Sequence, residues 1–127
     1  MTTTPKPTAS ELEILQVLWE RGPSTVREVH EALSAKRAMG YTSVLKLMQI
    51  MTTKGTLRRN EQQRAHVYEA VEPAEKTKRQ LALDILQRVF EGSASDLMMH
   101  ALAGQKASKE EIEEMRRLLS EYERKLR

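Results

Sequence analysis

Hydrophobic residues return every three or four positions along most of this chain, and each glycine falls where that period breaks. Leu12, Leu15, Val17, Leu18 and Trp19 supply the apolar side of a first helix predicted over Ala9–Arg21. Thr8 and Glu11 stand at capping-box spacing at its start, and Gly22-Pro23 stops it. After a short extended link, Ser24-Thr25, the pair Thr25 and Glu28 repeats the box and opens a second helix reaching to Ala35, with Val26, Val29 and Leu33 inward. A loop from Lys36 to Gly40 leads to a third helix, Tyr41–Lys54. There Val44, Leu47, Met48 and Met51 hold an i, i+3, i+4, i+7 stripe. Gly55 takes the place just past its end, where a left-handed backbone costs glycine least. The stretches 56–59 and 66–71 read as two strands, with Leu57, Val67 and Val71 able to face the core. The polar segment 60–65 between them predicts a hairpin loop longer than two residues.

That order is the winged form of the helix-turn-helix, with the third helix as groove reader and the hairpin as wing. The rest of the chain reads as helical. Pro73 suits a first helical position, and a long helix is expected to Glu91. Ala82, Ile85, Leu86 and Val89 form its stripe, widened by Leu81, Leu83 and Phe90, so it must be covered on more than one side. Ser93 with Asp96 caps a short helix carrying Leu97, Met98, Ala101 and Leu102. Ser108 with Glu111 caps the last, in which Ile112, Met115, Leu119, Tyr122 and Leu126 follow the narrow 3-4 spacing of a coiled-coil-like seam. The expected class is therefore mainly α with a small β wing, as a winged helix-turn-helix domain over 1–72 and a three-helix dimerisation region over 73–127. So few residues in three helices rarely build a self-sufficient core, and a second copy of the chain is the simplest cover. Folding back onto the N-terminal half is the alternative. Ile85, Leu86, Val89, Leu97, Ile112, Met115, Leu119 and Tyr122 are the candidate dimerisation residues.

Composition narrows the chemistry. The chain of 127 residues contains no cysteine, which excludes disulfides, Cys-ligated metals and thiol catalysis. No apolar run is long enough for a membrane span, no signal-peptide pattern opens the chain, and residues 1–7 read as a disordered lead-in, so a cytoplasmic protein without membrane insertion is expected. Net charge is only +3, but its placement is uneven. Between 36 and 64 the basic residues Lys36, Arg37, Lys46, Lys54, Arg58, Arg59 and Arg64 face Glu61 as the only acid. Such a patch points to a polyanion, or to a solvated surface that is merely basic.

The outward side of the third helix sharpens that choice. Thr42, Ser43, Lys46, Gln49 and Thr53 offer hydroxyls, an amide and an ammonium but no carboxylate, as a helix entering a DNA groove requires. Lys46 and Gln49 are the candidates for base edges. Thr42 and Ser43, near the helix start, suit phosphate. Tyr41 reaches phosphate through its hydroxyl or caps the edge of the core. Arg58, Arg59 and Arg64 would reach backbone or minor groove from the wing. Alternation sends Arg58 and Arg59 to opposite faces, so one of that pair points at DNA. Lys36 and Arg37 complete the patch from the preceding loop. None of His30, His66 and His100 is set with another histidine or a carboxylate at ligand spacing, and no metal or cofactor is expected. Trp19 and the methionines read as core. Glu113 and Glu114 diverge on their helix, and no nucleophile–base set exists, so the chain does not read as an enzyme.

The run Ala9-Ser10-Glu11-Leu12-Glu13-Ile14-Leu15-Gln16-Val17-Leu18-Trp19 resembles the opening of the penicillinase-repressor family, winged-helix repressors of β-lactamase, methicillin-resistance and copper genes. Thr42-Ser43-Val44 is similar to its Thr-Thr-Val start of the recognition helix, Lys54-Gly55 to its Lys-Gly stop and His66-Val67-Tyr68 to its wing strand. Phe90-Glu91-Gly92-Ser93, Leu97 and the stretch from Ser108 to Ile112 resemble its dimerisation helices. The resemblance implies a homodimeric transcriptional repressor on a two-fold-symmetric double-stranded DNA operator. It also implies release when a membrane-bound sensor protease leads, indirectly, to proteolysis in the dimerisation region. The chain departs from the pattern in three places. His100-Ala101 stands where an Asn-Phe cleavage step is common, the Cys-x-Cys pairs of the copper branch are missing, and Ile50 replaces a frequent Arg. A winged-helix module for protein–protein contact is the competing class, with an enzyme set aside for want of a catalytic set; within the DNA-binding class, a ligand-sensing regulator would carry a pocket near Phe90, Met98 and Met115.

Overall fold

Side chains three residues apart fix where the first two helices begin. In the computed structural model, which describes residues 6–62 and 64–127, the Thr8 hydroxyl accepts from the Glu11 amide at 3.2 Å. The Glu11 carboxylate accepts from the Thr8 amide at 3.0 Å. Thr25 and Glu28 repeat this reciprocal pair at 3.2 and 2.9 Å. Helix α1 (Ala9–Arg21) and helix α2 (Val26–Ser34) follow. Helix α3 (Tyr41–Lys54) ends at Gly55, whose φ of 89° is left-handed. Strands β1 (Leu57–Asn60) and β2 (Val67–Ala70) pair antiparallel, and the loop between them is longer than two residues as expected. Of the disordered lead-in expected over 1–7, residues 1–5 lie outside the described residues.

Ile14, Val29, Val44, Met48 and Met51 are completely buried and form the centre of one aliphatic, Met-rich core, closed by Leu15, Leu18, Leu33 and Leu57. Trp19 packs at its margin and donates its indole N–H to the Glu72 carbonyl at 3.0 Å. One strand assignment is corrected. Tyr68, not Val67 or Val71, is the β2 residue buried in the core, and Val71 is exposed. The cause is a long-range bridge. Ser24 donates its amide to the Tyr68 carbonyl at 2.9 Å and accepts the Tyr68 amide at 2.8 Å. The extended link after α1 thereby pins the phase of β2. With Leu57 opposite Ala70 and Arg59 opposite Tyr68, those four residues share the core-side face.

Helix α4 spans Ala74–Arg88, starting one residue after Pro73 and ending before the Glu91 predicted from sequence. Glu91 and Gly92 take consecutive positive φ values of 48° and 84°, and the Gly92 amide reaches back to the Leu86 carbonyl at 2.9 Å. The chain divides into two compact units within α4, between Ala82 and Leu83. In the second unit, helix α5 (Ala94–Gly104) is capped by Ser93 and helix α6 (Lys109–Lys125) by Ser108, both as predicted. No described side chain from Leu83 onward is buried. Ile85, Val89, Ile112, Leu119 and Tyr122 stand exposed, while Leu86, Leu97 and Met115 are half-buried. No helix among the described residues is long and apolar enough to cross a membrane.

Candidate nucleic-acid interface

Helix α3 presents its polar side outward because Val44, Met48 and Met51 anchor the other side completely. Thr42, Ser43, Lys46, Gln49, Ile50 and Thr53 are all exposed, and the helix contains no acidic residue. Its first turn starts from Gly40 with no side-chain cap, so its leading amides stay open. Both flanks of the helix are tied to α1. At the far end Lys54 Nζ lies 2.8 Å from Glu11 Oε2, and the Glu11 side chain is almost completely buried. Burial pushes the Glu11 carboxyl upward, but the Lys54 ammonium and the Thr8 hydrogen bonds outweigh it and hold the group below its ordinary 4.5. Before the helix, Arg37 grips Glu13 through two hydrogen bonds of 2.6 and 3.2 Å. His30, on α2, bonds the Met39 carbonyl through Nε2 at 2.8 Å and meets the Tyr41 ring edge-on at 5.7 Å. Tyr41 thus packs on His30 with nearly half its surface still open.

The basic patch read from sequence separates into two sets. Arg37 and Lys54 are held by α1 carboxylates, Arg58 by Glu69 across the hairpin at 2.7 Å, and Arg59 by Glu61. Tyr68, opposite it on the neighbouring strand, and then Glu61 raise the Arg59 guanidinium above its ordinary pKa. The two wing arginines do point to opposite faces: Arg59 lies with Tyr68 and Arg58 with Glu69. Lys36, Lys46 and Arg64 make no ion pair among the described residues and remain available to an outside anion. The neutralising carboxylates Glu11, Glu13 and Glu69 lie outside the basic segment, and only tertiary structure brings them to it.

Two residues join the site that sequence reading passed over. A cleft of about 440 Å³ opens between the starts of α2 and α3 and the wing. Arg27, Arg64 and His66 line it with Tyr41, Leu45 and Thr25, and no carboxylate does. Arg27 has no ion pair among the described residues. Its signal in the sequence is a cation in the first turn of a helix, where the helix dipole disfavours it unless an anion is to be bound. His66 borders the wing loop; the sequence marks it as the start of the wing strand, but not as a contact residue. One reading of the histidines is corrected: His100 Nδ1 does face a carboxylate, Asp96, at 3.3 Å across one turn of α5, and its ring contacts Phe90 at 5.6 Å. Among the described residues no cluster of three or more His, Cys, Asp or Glu has metal-binding geometry.

Three helices, a two-stranded hairpin and a polar third helix define a winged helix-turn-helix protein. A penicillinase-repressor family model matches residues 7–121, and the chain belongs to that family. It is 33% identical over 115 residues to a transcriptional regulator BlaI of Mycobacterium tuberculosis, covering 89% of this chain and 82% of that protein. It is 23% identical over 118 residues to a penicillinase repressor of Bacillus licheniformis, covering 93% and 92%. Among solved structures, the DNA-binding domain of the repressor BlaI aligns with a TM-score of 0.52 at 23% identity, covering 58% of this chain and 90% of that domain. A MarR family protein of Bacillus stearothermophilus aligns with the same TM-score of 0.52, covering 96% and 76%. These structural likenesses bear out the winged-helix fold. Membership of a repressor family bears out the reading of a protein that is not an enzyme.

Proposed function

We propose that this chain is a homodimeric transcriptional repressor that grips a two-fold-symmetric DNA operator with α3 and the wing. The observation that carries the reading is the outward face of α3, exposed, polar and free of carboxylate, with Lys46 at its centre. In this reading Lys46 and Gln49 meet base edges, and Thr42, Ser43 and Tyr41 meet phosphate at the open start of the helix. Lys36 and Arg64 add phosphate contacts, joined by Arg27 and His66 from the cleft. Arg37, Arg58 and Arg59 shape the face while bound to their carboxylates, and of the two wing arginines Arg58 is the one directed away from the core.

Residues 73–127 supply the dimer contact in the same reading. The support is the apolar surface left open by Ile85, Val89, Ile112, Leu119 and Tyr122. A second copy covers such a stripe with itself and holds two heads at a fixed distance. Release then follows from a sensor-triggered signal or proteolysis that acts on this region, where the His100 side chain is exposed on α5. A winged-helix module for protein contact would need an apolar or mixed outward face on α3, and this face is polar but for a single apolar residue, Ile50, with Lys46 and no carboxylate.

The test is selection of genomic DNA fragments by the purified chain over a salt series, with sequencing of what is retained. The expected result is a two-fold motif with half-sites about one helical turn apart and an affinity that falls steeply with salt. Retention without any shared motif at moderate salt overturns the repressor reading.

A further inference from the structure

Ile50 is 38% exposed and sits one turn after Lys46, beside Gln49, in the middle of the outward face of α3. Of the six residues on that face it alone has no hydrogen-bonding side chain. The core does not use it, because Val44, Met48 and Met51 already fill the inner side completely. Helix stability does not call for it either, since a β-branched side chain is a weaker helix former than the Lys or Gln around it. A lone apolar residue on a solvated surface is ordinary. A lone apolar residue inside a face otherwise made of donors and acceptors has a more specific complement. The major groove presents one apolar group on its base edges, the 5-methyl of thymine.

We infer that Ile50 is a specificity-determining residue that packs against a thymine methyl in each operator half-site. The inference rests on the DNA-binding reading above and extends it by naming a base. Thymine at that position buries its methyl against the β-branched sec-butyl side chain of Ile50. Cytosine carries only a hydrogen at C5, so the apolar contact is lost there and the branch of Ile50 is left facing water. Ile50 therefore selects for T over C at a position that Lys46 and Gln49 do not read.

The experiment uses the full chain and a fragment it has selected from genomic DNA, resynthesised with deoxyuridine in place of thymidine one position at a time. This exchange removes a single methyl and leaves base pairing and phosphates unchanged. At one position in each half-site affinity falls about threefold to fivefold, the size of one buried methyl. Ile50→Ala abolishes that sensitivity and Ile50→Val, which keeps the branched surface, retains it, with circular dichroism showing both variants folded. A uridine scan that is silent throughout, or identical for the parent chain and Ile50→Ala, overturns the inference while leaving sequence-specific binding intact. If no fragment is selected at all, the repressor reading and this inference fall together.

Discussion

The unit ending at Ala82 and the unit beginning at Leu83 are both built mainly from amphipathic helices, but they treat their apolar stripes in opposite ways. In the first, Ile14, Val29, Val44, Met48 and Met51 vanish from the surface, and devices linking distant segments lock the elements together. Ser24 bridges Tyr68, Trp19 bonds Glu72, and Glu11 bonds Lys54. In the second, the caps at Ser93 and Ser108, the ion pairs Asp84–Arg88 and Glu121–Arg117 and the Asp96–His100 contact are all local, each within about one helical turn. Leu83, Val89, Leu119 and Tyr122 are each more than half exposed there. A periodic stripe thus reveals that a helix has an apolar side, but the long-range contacts decide whether the same chain covers it.

The largest break in this contrast comes from the closed core. Met48→Ala is expected to cost about 2–5 kcal/mol, read from denaturant unfolding by the fluorescence of Trp19, the single tryptophan. Glu11→Ala, which leaves Lys54 without its partner and removes half the capping box, is expected to cost about 1.5–3 kcal/mol in the same assay. The Glu11 carboxyl is depressed below 4.5 in the folded chain, so its contribution is present above that value and is lost as pH falls through the lower folded pKa. Glu11→Gln should flatten that acid limb of the stability curve, and an unchanged limb would show that other carboxylates govern it. Lys46→Ala should lose about 1–3 kcal/mol of operator discrimination while leaving Trp19-detected unfolding where it was.

Smaller effects sharpen the second unit and the rim of the site. Leu119→Glu is expected to raise the dimer dissociation constant about tenfold, about 1.4 kcal/mol, in sedimentation, again without shifting the Trp19 transition. A sedimentation profile identical to that of the parent chain would remove α6 from the contact. Arg27→Ala should weaken DNA binding about equally on all sequences and reduce the salt slope by about one. Arg58→Ala should change that slope less, because Glu69 already neutralises the guanidinium.

Much of this was legible because local chemistry set it. The boxes at Thr8 and Glu11 and at Thr25 and Glu28, and the stop at Gly55, fix α1 to α3 through residues only a few positions apart. The phase of β2 was not legible, because Val67 and Val71 offer one apolar alternation and Tyr68 and Ala70 another. The choice is made by Ser24, more than forty residues earlier in the chain. The strength of the basic patch was overread for the same reason. Glu13 and Glu69 come to Arg37 and Arg58 through packing that no spacing rule expresses. Arg27 was missed because it lies outside the basic run and joins the site only across the cleft.

The two ties from α1 carry a thermodynamic consequence. With Glu13 on Arg37 before α3 and Glu11 on Lys54 at its end, the outward face is set before any ligand arrives. Complex formation then resembles the docking of a finished surface, and titration calorimetry should register only a modest heat-capacity change. The strongly negative value that marks a segment ordering itself on its partner belongs to chains that lack such clamps.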